Sequence, residues 1–313
     1  MNEFDVIRRI SGELPEAPPE VLVPAGDDCA VLHLGRSMWA AAADMLVAGQ
    51  HFKDWAPPED VGYKAVAANV SDVAAMGAVP RFVLVSGGAP DPETALRCFR
   101  GVLEACEEFG LYTIGGDTTA AGALTVDVSI LGQFSDLPVI RSGARPGDSL
   151  AVTGELGAAS AGLLALEGGD PGPERLIRKH LRPEPRVSAG RAAARLDAHA
   201  MIDLSDGLAS DVRHICEASG VGCRIDLTRL PIAGDTRAYL ERLGKDPEET
   251  AATGGEDYEL LLAGPEGVLN RISTESGVPL TTIGEFTEDG VLFVRAGEPV
   301  EDLSGWDHFH QSS

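Results

Sequence analysis

The sequence predicts a protein built from two mixed α/β domains. The chain has 313 residues, which is long for one compact core and sufficient for two. Segments with strand and helix patterns alternate in both halves, and the Gly- and Pro-rich segment 142–148 between them offers little to bury. We therefore expect residues 1–141 to form the first domain and residues 142–313 the second.

Helices and strands alternate along the first half. Apolar residues at helical spacing predict the helix over 59–78, and the Asp91-Pro92 start and Gly110 end predict the helix over 91–110. A short helix is also predicted over 3–11, so the predicted helices of this half cover 3–11, 59–78 and 91–110. The predicted strands cover 29–34, 37–44, 112–117 and 124–134, and a strand followed by a turn covers 81–90.

The second half begins again with a strand and is richer in strands. The predicted strands cover 149–154, 198–203, 222–227, 257–264, 280–286 and 291–297. Helices are predicted from about residue 158 and over 205–219, and further helical segments lie between some of the strands. The prolines in 179–186 predict a loop there.

The net charge argues against a nucleic-acid partner, and the hydropathy of the chain argues against a membrane. With 49 acidic and 25 basic residues, the net charge is −24, whereas a nucleic-acid-binding surface needs a basic stripe. No apolar run approaches the roughly 20 residues that cross a bilayer, and the N-terminus has no apolar signal core. We therefore expect a cytoplasmic protein that binds neither nucleic acid nor membrane.

The cysteines do not suggest a disulfide framework or a zinc site. There are five of them, an odd number, and no two form a C-x-x-C pair. We expect them to be small buried residues without a role in the chemistry.

Aspartates recur where predicted strands meet turns. One such residue is usually a cap or a turn former, but Asp72 lies inside an apolar helix, where a buried charge needs a partner. The whole group comprises Asp27, Asp28, Asp44, Asp72, Asp117, Asp203 and Asp206. Clusters of oxygen ligands without His or Cys suit hard ions such as Mg²⁺. The pattern predicts a site for several metal ions, which would also neutralise phosphates bound by so acidic a chain.

Common nucleotide-binding and nucleophile motifs are absent. The chain has no G-x-x-x-x-G-K-[ST], no G-x-G-x-x-G after a strand and no G-x-S-x-G. The Gly-rich segments 114–119 and 152–163 remain as candidate phosphate-binding turns, and the second opens a helix whose N–H groups would attract an anion. A third Gly-rich segment, 254–259, could simply be a turn before a strand.

Motifs along nearly the whole chain resemble those of thiamine-monophosphate kinases. In the first half they are GDDCAVL (26–32), D-x-LVAG-x-HF (44–52), YKA-x-A-x-N-x-SD-x-AAMGA-x-P (63–80) and IGGDTT (114–119). In the second half they are RSGARPGD (141–148), VTG-x-LG-x-x-x-AGL (152–163), KHLRPEPR (179–186), IDLSDGL-x-SD (202–211), GGEDYEL (254–260) and GWDHF (305–309). VAG-x-HF and GGEDYEL set this family apart from related ATP-binding families.

The resemblance implies a role for individual residues. It implies magnesium ligands at Asp28, Asp44, Asp72, Asp117, Asp203 and Asp206. It implies ATP contacts at Gly116, Asp117, Arg141 and Ser205, and contacts to thiamine monophosphate at His51, Glu256 and Trp306. Where the family usually has a Ser-Thr pair, this chain has Ala42 and Ala43, so any hydroxyl ligand is lost and only backbone carbonyls could coordinate a metal.

The resemblance also implies a fold, an assembly and a reaction. The first domain would be a ferredoxin-like half that pairs with its twin in a homodimer, with ATP near the interface. The reaction would be direct, in-line, magnesium-assisted phosphoryl transfer from ATP to thiamine monophosphate.

Three alternatives remain open at this point. The chain could be another ATP-using member of the superfamily, of the selenophosphate or aminoimidazole-ribonucleotide synthetase type. It could be a regulator that binds ATP and transfers nothing, or an acidic buffer for cations.

Overall fold

The computed structural model describes residues 3–170, 172–301, 303 and 305. Its strands form two mixed sheets, one from each half of the chain. The six-stranded sheet has the order β1-β2-β3-β6-β4-β5, and the seven-stranded sheet the order β13-β12-β9-β11-β7-β10-β8. The expected fold of two α/β halves is confirmed, while the domain boundary after residue 141 stays a prediction.

The first half contains six strands and two long helices that cover one face of its sheet. The strands are β1 (Val21–Val23), β2 (Ala30–Leu34), β3 (Ser37–Val47), β4 (Val79–Ala89), β5 (Tyr112–Ala120) and β6 (Thr125–Gln133). The helices are α1 (Glu3–Glu13), α2 (Pro58–Ala75) and α3 (Pro92–Phe109). Helices on one face of a mixed sheet agree with the expected ferredoxin-like layering, and the opposite face leaves Leu84 and Ile114 exposed.

The second half surrounds its sheet with seven helices among the described residues. The helices are α4 (Ala158–Glu167), α5 (Glu174–Leu181), α6 (Val187–Arg195), α7 (Leu208–Ser219), α8 (Gly234–Arg242), α9 (Pro247–Thr253) and α10 (Glu266–Ser276). The strands are β7 (Ser149–Thr153), β8 (Ala200–Asp203), β9 (Gly222–Asp226), β10 (Leu260–Gly264), β11 (Leu280–Thr287), β12 (Val291–Arg295) and β13 (Glu298–Val300).

Helix α2 is buried on nearly every side because both halves pack against it. Its residues 61–71 are all buried, as expected for a helix that is apolar around its whole circumference. Gly101 of α3 lies against the backbone of Glu59, and a Cβ there would stand 1.7 Å from the Glu59 oxygen. Gly190 of α6 lies against the backbone of Ala74 in the same way, and a Cβ there would stand 1.9 Å from the Ala74 oxygen. Helices from the two halves therefore hold α2 between them, and α2 also contacts β8.

Some sequence-based boundaries were wrong. The segment 179–186 is not entirely a loop, because α5 extends through Leu181 before the prolines end it. The strand expected over 257–264 begins at Leu260, since Glu256 and Tyr258 have positive φ angles of 67° and 50° that no strand accepts. All five cysteines are buried and free, as expected. No helix among the described residues combines the length and the hydropathy needed to cross a membrane.

Candidate active site

Three aspartates from distant parts of the chain form a carboxylate cluster. Asp28, Asp72 and Asp203 each offer an oxygen atom, and these atoms lie within 4.8 Å of one another. Asp28 precedes β2, Asp72 lies in the last turns of α2, and Asp203 ends the sheet-edge strand β8. Because α2 packs against β8, the two halves of the chain bring the three carboxylates together. We call these residues the carboxylate cluster.

Among the described residues, one buried oxygen atom of the carboxylate cluster has no hydrogen-bond partner. The Ser71 hydroxyl donates to Asp203 Oδ2 at 2.6 Å. Arg141 Nη2 donates to Asp28 Oδ1 at 2.5 Å. Asp28 Oδ2 is buried and has no hydrogen-bond partner among the described residues. A buried carboxylate oxygen is normally satisfied, so this atom is available to a ligand.

Burial and mutual repulsion raise the pKa values of the carboxylate cluster. Burial raises the pKa of Asp28 to about 6, although Arg141 opposes the shift. Burial and the nearby Asp28 raise the pKa of Asp203 to about 8. Burial and the neighbouring Asp44, Asp203 and Asp28 raise the pKa of Asp72. Like charges this close disfavour ionisation, and a bound cation would reverse that balance.

The rim of the carboxylate cluster contains two further residues implied by the sequence. Asp44 of β3 lies within hydrogen-bonding reach of Asp72. His51, in the turn after β3, accepts a hydrogen bond at Nδ1 from the Val47 N–H at 3.1 Å. Burial raises the pKa of Asp44, and the nearby Asp72 and His51 oppose that shift. His51 also lies close enough to Glu256 to contribute to the lowering of its pKa. The implied metal ligands and acceptor contacts thus adjoin one another.

Glu256 lies in a loop that α2 reaches from the first half. The Glu256 N–H donates to the Ser205 oxygen at 2.7 Å, which ties the loop to the turn after β8. Its carboxylate oxygens lie 2.5 Å from Lys64 Nζ and 3.4 Å from His180 Nδ1. Burial alone would raise the pKa of Glu256, but the charge and hydrogen bond of Lys64 outweigh it and lower the pKa. Glu256 is therefore an ionised carboxylate near neutral pH.

The other implied residues occupy different positions. Asp206 follows Ser205 in the turn after β8. Burial, and then the charge of Asp206, raise the pKa of the buried Asp211. Asp117 lies in the exposed edge strand β5, outside the carboxylate cluster, and accepts a hydrogen bond from the Thr118 N–H at 2.9 Å. Gly116 precedes it, where a Cβ would stand 1.7 Å from the Val85 oxygen, so the close β4–β5 pairing requires glycine. Trp306 lies outside the described residues.

Ala42 and Ala43 belong to the middle of β3. Pairing between β2 and β3 ends with Ala30 opposite Ala41. Beyond that point, β3 pairs only with β6, where Ala42 and Ala43 face Ile130 and Ser129. Among the described strands, the edge of β3 that β2 covers as far as Ala41 therefore has no partner at these two alanines.

One candidate phosphate-binding turn already has an anion of its own. The N–H groups of Gly157 and Ala159, at the start of α4, donate to the Asp257 carboxylate at 2.7 and 3.2 Å. Asp257 lies about one hundred residues further along the chain, so the local pattern in 152–163 could not reveal it. These two donors are satisfied within the protein, and the expectation that they are free for a phosphate is wrong.

Sequence reasoning overlooked Lys64, Ser71 and His180. Each lies inside a quoted motif, and Lys64 and Ser71 interrupt the same apolar helix that drew attention to Asp72. Polar residues buried in an apolar helix were the available signal, because each needs a partner. Nothing in the sequence around His180 indicated that it would be buried beside Glu256.

Comparisons with known proteins agree over the full length of the chain. Residues 26–134 match the N-terminal domain, and residues 145–297 the C-terminal domain, of AIR synthase related proteins. The thiamine-monophosphate kinase of Escherichia coli K12 is 41% identical over 98% of both chains. That of Mycobacterium tuberculosis H37Rv is 38% identical over 99% of this chain and 92% of its own. The solved structure of AaThiL complexed with AMPPCP and TMP has a TM-score of 0.88 and 35% identity, covering 98% of this chain and 97% of that one.

Proposed function

Since the chain belongs to the thiamine-monophosphate kinase family, we propose that it transfers a phosphoryl group from ATP to thiamine monophosphate and so forms thiamine diphosphate. The observation that carries the proposal is the carboxylate cluster, assembled from both halves of the chain next to Glu256 and His51. The homologues named for this activity match the chain from end to end, and one related structure was solved with an ATP analogue and TMP.

The residues of the carboxylate cluster fit magnesium. All three offer carboxylate oxygens, the donors that Mg²⁺ prefers, and the buried Asp28 Oδ2 has no other partner among the described residues. Asp28, Asp72 and Asp203 would hold the first ions, with Asp44 and Asp206 at the rim. Successive carbonyls of a strand point to opposite edges, so one of Ala42 and Ala43 directs its backbone carbonyl to the edge of β3 that has no strand partner among the described residues. That carbonyl would replace one of the missing hydroxyls. Bound magnesium would neutralise the negative charges of the ATP phosphates and of the acceptor phosphate, which otherwise repel each other.

The transfer needs no general base from the protein. The second pKa of a phosphomonoester lies near 6, so the acceptor phosphate is largely ionised at neutral pH. One of its oxygens attacks the γ-phosphorus of ATP, a new P–O bond forms, and the bond to the β-phosphate oxygen breaks to release ADP. The protein aligns the two substrates and keeps water away from them. The transfer is direct, without a phosphoenzyme.

The acceptor lies toward Glu256 and His51. The thiazolium ring of thiamine monophosphate is cationic, and the ionised Glu256 carboxylate is the complementary charge. Trp306 would cover the ring through stacking and cation–π contact.

ATP would lie toward Arg141, Ser205 and the exposed strand β5 with Gly116 and Asp117. We also propose that two copies pair through the open face of the first sheet. That face forms a shallow groove of about 430 Å³, lined by Ala41, Ala43, Phe82, Leu84, Ile114 and Leu131 among others. Leu84 and Ile114 are 43% and 49% exposed, and apolar side chains grouped in this way are usually covered by a partner. We place the enzyme in the cytoplasm.

An assay of the purified protein tests the proposed function. With ATP, Mg²⁺ and thiamine monophosphate, chromatography should show one thiamine diphosphate for each ADP formed. Selenide or an aminoimidazole-ribonucleotide precursor in place of thiamine monophosphate should leave ATP unconsumed. ATP binding without any transfer would favour a regulator, and magnesium binding without nucleotide would favour a cation buffer.

A further inference from the structure

Lys64 is a buried cation whose position in the fold demands a specific partner. It lies in α2, and its side chain is only 5% exposed. An ammonium group buried in this way is strongly destabilising unless an opposite charge accompanies it. Its partner among the described residues is Glu256, which belongs to the other half of the chain and lies 2.5 Å away.

Lys64 and His180 both lie within 4 Å of the Glu256 carboxylate, and of these two side chains Lys64 is the one that carries a charge. His180 lies 3.4 Å from the second carboxylate oxygen of Glu256 and packs edge-on against Trp55, with ring centroids 5.7 Å apart. Burial and the adjacent Lys64 lower the pKa of His180 to about 3, so the ring is neutral near neutral pH. The guanidinium of Arg182 is committed to Asp60 and Glu104, and that of Arg186 to Glu259.

Contacts fix both the backbone and the side chain of Glu256. Its φ angle of 67° is uncommon for a residue with a side chain, and conformations of this kind persist only where the surroundings enforce them. The hydrogen bond to the Ser205 oxygen fixes the backbone, and Lys64 fixes the carboxylate. About a quarter of the Glu256 side chain nevertheless stays exposed, at 26%, so the carboxylate can still meet a ligand.

We infer that Lys64 is a positioning residue: from α2 it holds the Glu256 carboxylate in the one orientation that receives the cationic ring of the acceptor. The inference rests on the proposed function, and it assigns Lys64 an effect on the acceptor through Glu256, without contact between Lys64 and either phosphate. The same helix carries Asp72 eight residues further on, about 12 Å along the axis. One rigid element thus sets the distance between the metal ligands and the acceptor's recognition group.

A double-mutant cycle separates this role from a structural one. Lys64→Met should raise the KM for thiamine monophosphate by ~10-fold or more and change the KM for ATP by less than about 2-fold, since it leaves Glu256 without its partner. In a Glu256→Gln background, Lys64→Met should add almost nothing, because the residue through which it acts is already neutral. Lys245→Met, at an exposed lysine outside the motif segments, is the matched control.

The outcomes distinguish the inference from the proposed function. Wild-type protein that forms no thiamine diphosphate would overturn both. If the wild type is active, an equal rise in both KM values, or losses that add in the double variant, would overturn the role of Lys64 alone. Should Lys64→Met fold poorly, the double variant removes both members of the ion pair and still gives the comparison with Glu256→Gln.

Discussion

Helix α2 and strand β5 both carry residues that the sequence assigned to the site, yet they differ in almost every physical respect. Both halves of the chain pack on α2, so Lys64, Ser71 and Asp72 have their partners already in place. Strand β5 is the edge of its sheet and is exposed at every residue from Ile114 to Ala120. The carboxylate cluster is therefore complete within one chain, whereas the region around Asp117 is open to a ligand or a second copy.

The largest expected effect lies in α2. Asp72→Asn should leave the fold intact and reduce turnover by ~10²-fold or more, because it removes one charge from the proposed cation site, which would stabilise the transferring phosphoryl group. Steady-state kinetics and thermal unfolding of the same preparation measure both quantities. Asp91→Asn is the control, since asparagine caps the exposed start of α3 as well as aspartate does. Near-normal turnover of folded Asp72→Asn would remove Asp72 from the metal ligands.

The packing around α2 provides the second prediction. Gly190→Val should lower the free energy of unfolding by about 1–3 kcal/mol, because its side chain would collide with the Ala74 backbone. Gly267→Ala is the control, since no atom beyond its chain neighbours and its own helix backbone lies within 4 Å of its Cβ position near the start of α10, and it should change the stability by less than about 1 kcal/mol. Urea unfolding of both variants gives the comparison. Equal stability of Gly190→Val and wild type would mean that α6 and α2 are not closely packed.

The sequence predicted α2 better than it predicted what α2 touches. Apolar residues at helical spacing identified the helix, and the expense of a buried carboxylate identified Asp72. No local pattern could place Asp203 beside it, since the Ser71 hydroxyl that donates to Asp203 lies 132 positions earlier in the chain. The N–H groups at the start of α4 show the opposite case: the sequence indicated the donors but not their acceptor, Asp257. A local motif shows that N–H donors exist, but only the fold decides which anion they receive.

On the β5 side, the test is the state of assembly. Leu84→Asp should convert the proposed dimer to a monomer, because it places a charge in the open apolar face of the first sheet. Leu243→Asp is a matched control, since Leu84 and Leu243 are both 43% exposed but Leu243 follows α8 in the second half. Sedimentation velocity reports the change. A wild type that sediments as a monomer at every concentration would rule out this interface.

The buried histidine beside α2 makes stability depend on pH. The pKa of His180 is lowered to about 3 in the folded protein, from an ordinary 6.5, by burial and then by Lys64. The unfolded chain therefore takes up the proton first, so this contribution is fully present above pH 6.5 and is lost as the pH falls toward 3. Between about pH 7 and pH 5, wild type should lose up to about 2 kcal/mol more than His180→Asn does. The same pH dependence of both proteins in urea unfolding would show that the pKa of His180 is not lowered in the folded protein.

The smallest effect is expected from the cysteines. All five are buried, and burial raises the pKa of Cys29 and of Cys98, which disfavours the reactive thiolate. Iodoacetamide should leave the activity of the folded protein unchanged while it labels the urea-unfolded chain. Inactivation that the substrates prevent would place a thiol in the site after all.

Diffraction from crystals grown with Mn²⁺ and a non-hydrolysable ATP analogue tests the central claim most directly, that the two halves of the chain build one cation site at the carboxylate cluster. The account predicts an anomalous peak about 2.1 Å from carboxylate oxygens of Asp28, Asp72 and Asp203, with Asp44 at its margin. Anomalous peaks confined to Asp117 and the exposed β5 strand, with no ion among Asp28, Asp72 and Asp203, would contradict it.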